Sequence, residues 1–145
     1  MGRRRQAREI ALQALYLVDV ARNAPAEAFA VVNRRRESDD EKTLDFARTL
    51  LEGAFRLREE IDAAIAATAL NWPLKRMAAV DRNVLRLAAY ELVYERATPV
   101  KVVIDEAIEI VRKYSTEDST KFVNGILDKL KALRPNPDGL QENPS

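Results

Sequence analysis

The chain has 145 residues, 47% of them hydrophobic, which is enough for one folded domain with a real core. Its 24 lysines and arginines almost balance its 23 acidic residues, so the overall charge indicates no particular partner. Cysteine and histidine are both absent, which excludes disulfides, thiolate metal sites and a Ser-His-Asp triad. We therefore expect neither an enzyme of the usual kinds nor a cofactor or a metal.

The chain also lacks the signals of a membrane or secreted protein. No apolar run approaches the roughly 20 residues that span a bilayer. The basic N-terminus is followed by an amphipathic segment containing Glu9, Gln13 and Asp19, where a secretory signal would need an uninterrupted apolar stretch. We therefore expect a cytoplasmic protein.

The first half of the chain predicts three helices, because helix-favouring residues dominate and glycine is scarce. The first helix covers about 4–21, with apolar residues at three- and four-residue steps. A break at 23–25 precedes a short helix over about 26–33. A long helix then runs from Ser38, which forms a capping-box pattern with Glu41, to about 68.

The second half predicts three more helices after a break at Asn71-Trp72-Pro73. The helix over about 80–95 is apolar on two sides, so it should be central and mostly buried. Thr98-Pro99 marks the next start, and an apolar stripe over 100–111 favours a helix there although β-branched residues are frequent. Ser115 with Asp118 suggests a cap for the last helix, about 118–133.

The remaining segment, 134–145, holds three of the six prolines and no periodicity, and we expect it to be disordered. The whole pattern predicts an all-α fold, a compact bundle of six to seven helices.

The sharpest charge feature is a basic arm formed by Arg3, Arg4, Arg5 and Arg8, with Tyr16 two turns further along nearly the same side of the first helix. Arginine pairs with phosphate and an exposed tyrosine stacks on a base, so this pattern suits single-stranded RNA. A solvated N-terminus with a packed tyrosine fits the residues as well. On the RNA interpretation, replacing Arg5 and Arg8 by alanine should weaken RNA binding and hardly change the melting temperature.

Two further segments carry weaker signals. The cluster 34–36 is triple arginine, better explained as a solvated loop than as a binding surface. In the segment 117–125, Lys121 and Phe122 fall in the first turns of a helix, where an anion or a base can approach. Asn124 and Gly125 suggest close packing between helices there.

The acidic residues of the helix after Pro99 do not form a catalytic pair. Asp105 and Glu106 are adjacent, so their side chains point about 100° apart on a helix. Asp105 and Glu109 share a face, but without histidine or a glycine-rich phosphate loop they have the character of surface acids.

Three ordered motifs resemble the NusB family. They read RQAREIALQALY at 5–16, VDRNVLRLAAYEL at 80–92 and IDEAIEIVRKYSTEDSTKFVNGILDK at 104–129. The resemblance runs from Arg3 to about Leu130, and it implies one domain over 1–133 with helical subdomains at about 1–70 and 71–133.

The resemblance also implies a function in transcription antitermination. NusB proteins bind the boxA element of ribosomal RNA leaders together with the ribosomal protein NusE, and the complex joins the elongating RNA polymerase with other Nus factors. A homodimer is left open. Carried over by position, the implied RNA-binding residues are Arg3, Arg4, Arg5, Arg8, Tyr16, Asp118, Lys121 and Phe122. The implied protein-partner residues are Glu91, Asp105 and Glu106.

Two alternatives differ in class. The same helical module occurs in some ribosomal RNA cytosine methyltransferases, but the given sequence contains no second domain for a methyl donor. A purely protein-binding helical module, with the arginines serving solubility, is the other alternative. The salt dependence of RNA affinity separates it from the RNA interpretation.

Overall fold

The computed structural model describes residues 2–34 and 40–135, which fold into seven α-helices with no strand in either range. The predicted all-α fold is confirmed. A π-helical segment, Tyr90–Glu95, continues the fifth helix, and short 3₁₀ turns cover Leu74–Arg76 and Lys131–Leu133. The α-helices are α1 (Arg3–Val20), α2 (Pro25–Arg34), α3 (Glu41–Arg56), α4 (Arg58–Thr68), α5 (Ala79–Ala89), α6 (Val100–Tyr114) and α7 (Glu117–Leu130).

The core forms around α1 and α5. The apolar stripe of α1 packs against α2, α3 and α5, while α5 also contacts α4, α6 and α7. Ile10, Leu50, Leu85 and Leu127 are fully buried in one contiguous cluster that includes residues on both sides of position 70. The predicted central position of the helix after Val80 is confirmed, and the division into two subdomains stays a prediction.

The long helix predicted from Ser38 to about 68 is in fact two helices. The backbone at Leu57 leaves the helical region, with φ −101° and ψ 20°, and separates α3 from α4. The apolar stripe continues across this break, so periodicity alone does not reveal it. The cap also differs from the prediction: Asp40 Oδ1 accepts a hydrogen bond from the Thr43 amide at 2.8 Å, and Ser38 lies outside the described residues.

Close packing between elements occurs at Gly53, and the expectation of it at Gly125 is wrong. A Cβ atom on Gly53 would overlap the ring of Tyr90, so only glycine lets the π-helical segment approach α3 this closely. Gly125 is exposed, and a Cβ atom there would have no neighbour within 4 Å.

The predicted caps of the last two helices are each displaced by one residue. Pro99 precedes α6 without a side-chain hydrogen bond, so Thr98 is not the cap. At α7 the capping side chain is Thr116, whose hydroxyl accepts from the Ser119 amide at 3.0 Å, so Ser115 is not the cap either. A capping side chain must immediately precede the first helical residue, and sequence patterns locate that residue only to within a turn.

The expectation of disorder from Arg134 onward is wrong for Arg134 itself. Its guanidinium is buried and donates to the carbonyls of Leu92 at 2.6 Å, Glu91 at 2.8 Å and Thr98 at 2.8 Å. These carbonyls lie where the π-helical segment ends, and a guanidinium with several donors satisfies them together. Residues 136–145 lie outside the described residues. No helix within 2–34 or 40–135 is long and apolar enough to cross a membrane.

Candidate nucleic-acid interface

The first turn of α1 presents two arginines to solvent. Arg3 forms an exposed ion pair with Asp40 at 3.2 Å, and the guanidinium of Arg4 lies 4.2 Å from the centre of the Phe46 ring. Together with Lys42 they line a cleft of about 210 Å³ between the starts of α1 and α3. The cleft combines positive charge with an aromatic wall, a pairing suited to the backbone and bases of single-stranded nucleic acid.

Arg5 points toward α6 and forms a bidentate ion pair there. Its Nε and Nη2 atoms donate to the two carboxylate oxygens of Glu106, both at 2.7 Å. The hydrogen bond from Arg5 lowers the pKa of Glu106 below its ordinary value, although burial opposes this shift. The same hydrogen bond raises the pKa of Arg5.

Arg8 is buried, so the expectation of a fourth solvent-facing guanidinium in the basic arm is wrong. Arg8 is 5% exposed and donates from Nε and Nη2 to the carboxylate of Glu91 at 2.7 and 2.8 Å. Glu91 is only 2% exposed. Arg8 follows Ala7 on the inward face of α1, so its side chain enters the interior of the protein. A buried guanidinium is stable there only when a carboxylate balances its charge and accepts its hydrogen bonds.

The three residues expected to contact a protein partner therefore differ in their exposure. Glu91 and Glu106 are engaged by the arginines of α1, and only Asp105 is exposed, in an i,i+4 pair with Lys101 at 3.1 Å. Within the described ranges no three acidic side chains are arranged to hold a metal ion.

The start of α7 is held firmly against α5. Ser119 Oγ donates to the carboxylate of the buried Asp81 at 2.6 Å, and the Thr116 cap fixes the first turn. On this anchored turn Asp118 and Lys121 are exposed, while Phe122 is half-buried against the core.

Trp72 completes this surface, and the sequence interpretation treated it only as part of a helix break. Its ring is 49% exposed and meets Phe122 edge-on, with ring centres 6.3 Å apart and planes at 64°. The sequence feature that could have indicated Trp72 as a surface residue is its place in a polar break between amphipathic helices, since it is the one tryptophan of the chain.

Tyr16 lies at the far end of α1 from the arginines and is 38% exposed. It borders an almost entirely apolar pocket of about 300 Å³, together with Tyr114 and side chains of α2. Tyr114, which sequence reasoning also missed, donates to Glu9 at 2.9 Å and precedes the Thr116 cap by two residues. The pocket therefore lies between α1, α2 and the end of α6. In the second arginine cluster, Arg34 ends α2 and is exposed, while 35 and 36 lie outside the described residues.

The structure defines an all-helical protein whose fixed scaffold carries solvent-facing cations and aromatic rings, a combination typical of RNA-binding surfaces. The chain belongs to the NusB family, whose sequence profile matches residues 5–132.

Individual relatives agree with this assignment. The transcription antitermination protein NusB of Trichlorobacter lovleyi is 48% identical over 132 residues, covering 91% of this chain and 92% of the relative. NusB of T. maritima superposes with a TM-score of 0.84 at 37% identity, over 93% of this chain and 95% of that one. A structure of the antitermination factors NusB and NusE in complex with double-stranded RNA matches at 31% identity and a TM-score of 0.83, over 88% of this chain and 95% of that one.

Proposed function

We propose that this protein binds boxA-type single-stranded RNA of ribosomal RNA leaders together with NusE, and that the complex joins the elongating RNA polymerase and suppresses premature termination. The observation that carries the proposal of RNA and NusE binding is the likeness to a NusB chain in complex with NusE and double-stranded RNA. The exposed aromatic rings favour an unpaired strand as the RNA that this protein binds. The surface described above supplies the chemistry that such binding needs.

The proposed RNA surface begins in the cleft at the first turn of α1, where Arg3 and Arg4 face solvent. It continues past Tyr16 to Lys121 and Phe122 on α7. Arginine and lysine neutralise phosphates, and the aromatic rings stack on unpaired bases.

Three other residues complete this proposal. Asp118, exposed one turn before Phe122, is positioned to accept a hydrogen bond from an exocyclic amino group of a base. Arg5 lies at the edge of the surface, with 30% of its side chain exposed. Arg8 acts as a positioning residue, because its guanidinium is held in the interior by Glu91.

The proposed NusE surface lies on α6 around Asp105. Asp105 is exposed, and its one ion-pair partner in the ranges 2–34 and 40–135 is the flexible side chain of Lys101, so a partner's cation can replace that lysine. Glu106 lies at the margin of this proposed NusE surface. Glu91 is buried, and its role in this surface would be indirect, through the position in which it holds Arg8. A homodimer through the RNA surface stays a prediction, and light scattering of the purified protein with and without RNA would measure it.

The test is a filter-binding titration with three RNAs of equal length: a boxA sequence, its scrambled version and a boxA duplex, each with and without NusE. We expect boxA to bind most tightly, and more tightly when NusE is present. Equal affinity for boxA and scrambled RNA in the presence of NusE would contradict selective recognition, and preference for the duplex would contradict single-strand binding.

Salt dependence tests the electrostatic part of the proposal. Each phosphate neutralised on a single strand contributes about −0.7 to the slope of log affinity against log salt concentration. A purely protein-binding module would bind NusE while showing no salt-dependent RNA affinity, and that result would support the alternative class.

A further inference from the structure

Trp72 and Phe122 form an aromatic platform on the outside of the helical bundle, where Phe122 is half-buried and half of Trp72 remains exposed. We propose that this platform is a base-stacking station, at which one unpaired nucleobase of the bound RNA lies against the indole of Trp72. The inference rests on the proposed function and adds to it a contact residue and a requirement for an unpaired base.

Folding alone does not account for the position of Trp72. Half of its side chain is exposed, and its aromatic neighbour Phe122 contacts it edge-on, which leaves ring surface open to solvent. The loop is anchored in the core by other residues, the partly buried Leu74 and the buried Met77. A large apolar ring that faces water without anchoring its loop is a feature of binding surfaces.

The loop that carries Trp72 is held rigidly. Arg82 donates from Nη1 to the carbonyls of Leu74 at 3.0 Å and Met77 at 3.1 Å, and from Nε to Asp19 on α1 at 2.8 Å. The amide of Trp72 also donates to the carbonyl of Ala69 at 3.1 Å. Because the backbone that carries the ring is already held, a stacked ligand would lose little free energy to ordering the loop.

The charges around the platform favour a nucleic acid as its occupant. Lys75 and Arg76 follow Trp72 in the 3₁₀ turn, and Lys121 precedes Phe122. None of these three cations has an ion-pair partner in the ranges 2–34 and 40–135, whereas most of the arginines of α1 and α5 do. Positive charges beside an open aromatic ring suit a phosphate backbone whose bases stack, and they do not suit an apolar peptide.

The single tryptophan of the chain makes the test direct, because fluorescence excited at wavelengths beyond the absorption of the four tyrosines reports on Trp72 alone. We expect a single-stranded oligouridylate of roughly 12 nucleotides to quench this fluorescence. An abasic ribose-phosphate oligomer of the same length keeps the charges without the bases, and an RNA duplex keeps its bases stacked inside. Neither should quench to a comparable extent.

Affinity measurements on variants supply the second arm. Trp72→Ala should weaken binding of the oligouridylate by at least about fivefold and leave binding of the abasic oligomer unchanged. Trp72→Phe should retain most of the affinity. Leu70→Ala removes another apolar side chain, 81% exposed and two residues away, and serves as the matched control without a loss. Circular dichroism melting would show that all three variants remain folded.

The outcomes separate this inference from the function on which it rests. RNA binding without fluorescence quenching, or an equal loss for the oligouridylate and the abasic oligomer, would overturn the platform and leave the proposed function intact. A Trp72→Ala variant that loses NusE affinity but keeps RNA affinity would assign the platform to a protein partner and overturn the inference. Absence of any RNA binding by the unaltered protein, with NusE present and boxA as the RNA, would contradict the proposed function itself, and the inference with it.

Discussion

Two regions of this protein use cations in opposite ways. On the inner side of α1, Arg5 and Arg8 are held by Glu106 and Glu91 in bidentate pairs that join the start of the chain to α6 and the π-helical segment. On the outer surface, Lys121 directly precedes Phe122, whose ring meets that of Trp72, and it has no acidic partner in the described ranges. A cation whose charge is matched inside the fold holds the structure together, and one left unmatched at the surface is the more available to attract a phosphate.

Burial explains why the two regions behave differently. Removing one member of a buried pair leaves an uncompensated charge in a medium of low polarity, whereas an exposed charge keeps its hydration when a neighbour is lost. The difference gives four predictions, ordered from the largest expected effect on stability to the smallest.

The largest effect is expected for Arg8→Ala. It leaves the carboxylate of Glu91 buried without its partner, so the free energy of unfolding should fall by about 3–5 kcal/mol in urea denaturation. This reverses the expectation, drawn from sequence alone, that replacing both Arg5 and Arg8 by alanine hardly changes the melting temperature.

A double variant, Arg8→Met with Glu91→Leu, provides the control for the first prediction. It removes both charges while keeping apolar volume, and it should recover most of the lost stability. A single variant as stable as the unaltered protein would show that the pair is not buried as described.

The next effect concerns Arg134, which serves three backbone carbonyls. Arg134→Ala removes this donor from the carbonyls of Leu92 and Thr98, whereas the carbonyl of Glu91 still accepts from the Arg96 amide at 3.1 Å. The variant should destabilise the fold by about 2–3 kcal/mol in the same assay. The matched control is Arg96→Ala, since Arg96 is exposed, and it should change stability by less than about 0.5 kcal/mol. Equal losses for the two variants would contradict the anchoring role of Arg134.

Acid should weaken the fold through Glu106, whose pKa is lowered mainly by the hydrogen bond from Arg5. A carboxylate with a lowered pKa in the folded state contributes stability above its unfolded value of about 4.5, and that contribution disappears as the pH falls through the folded-state pKa. Urea unfolding between about pH 6 and pH 3 should show this loss, and Glu106→Gln should remove about 1 kcal/mol of it.

Two comparisons sharpen the acid prediction. Glu52→Gln changes an exposed carboxylate and should leave the pH profile unaltered. The pKa of Asp19 is also lowered, because hydrogen bonds from Asn83 and Arg82 outweigh the effect of burial, so some acid sensitivity should persist in the Glu106→Gln variant. A profile of that variant identical to that of the unaltered protein would contradict the prediction.

The smallest effect on stability is expected for Arg4→Ala, within about 0.5 kcal/mol, because this guanidinium lies at the surface over Phe46. Its effect should appear in RNA binding, where the salt slope should decrease by about 0.7. Arg48→Ala is the matched control, since Arg48 also lies over an aromatic ring, that of Phe29 at 4.8 Å. Equal changes in the salt slope for both variants would show that the arm makes no phosphate contact of its own.

Local patterns in the sequence determined the helical architecture. Apolar residues at helical spacing indicated where nearly every helix lies, and the two-sided apolar pattern after Val80 indicated the buried α5. The ordered motifs indicated the family. These features depend on neighbours a few residues apart, so reading along the chain is enough to detect them.

Only the tertiary structure decided which charged residues are structural and which are available for binding. Arg8 and Glu91 are 83 residues apart in sequence, and Trp72 meets Phe122 across 50 residues of chain. Helical periodicity states that side chains share a face, but it does not state which face of which other helix they meet. Among the four arginines at the start of α1, the contacts between helices decide which are exposed at the surface and which one, Arg8, is held in the core. Burial makes a matched carboxylate obligatory for that one.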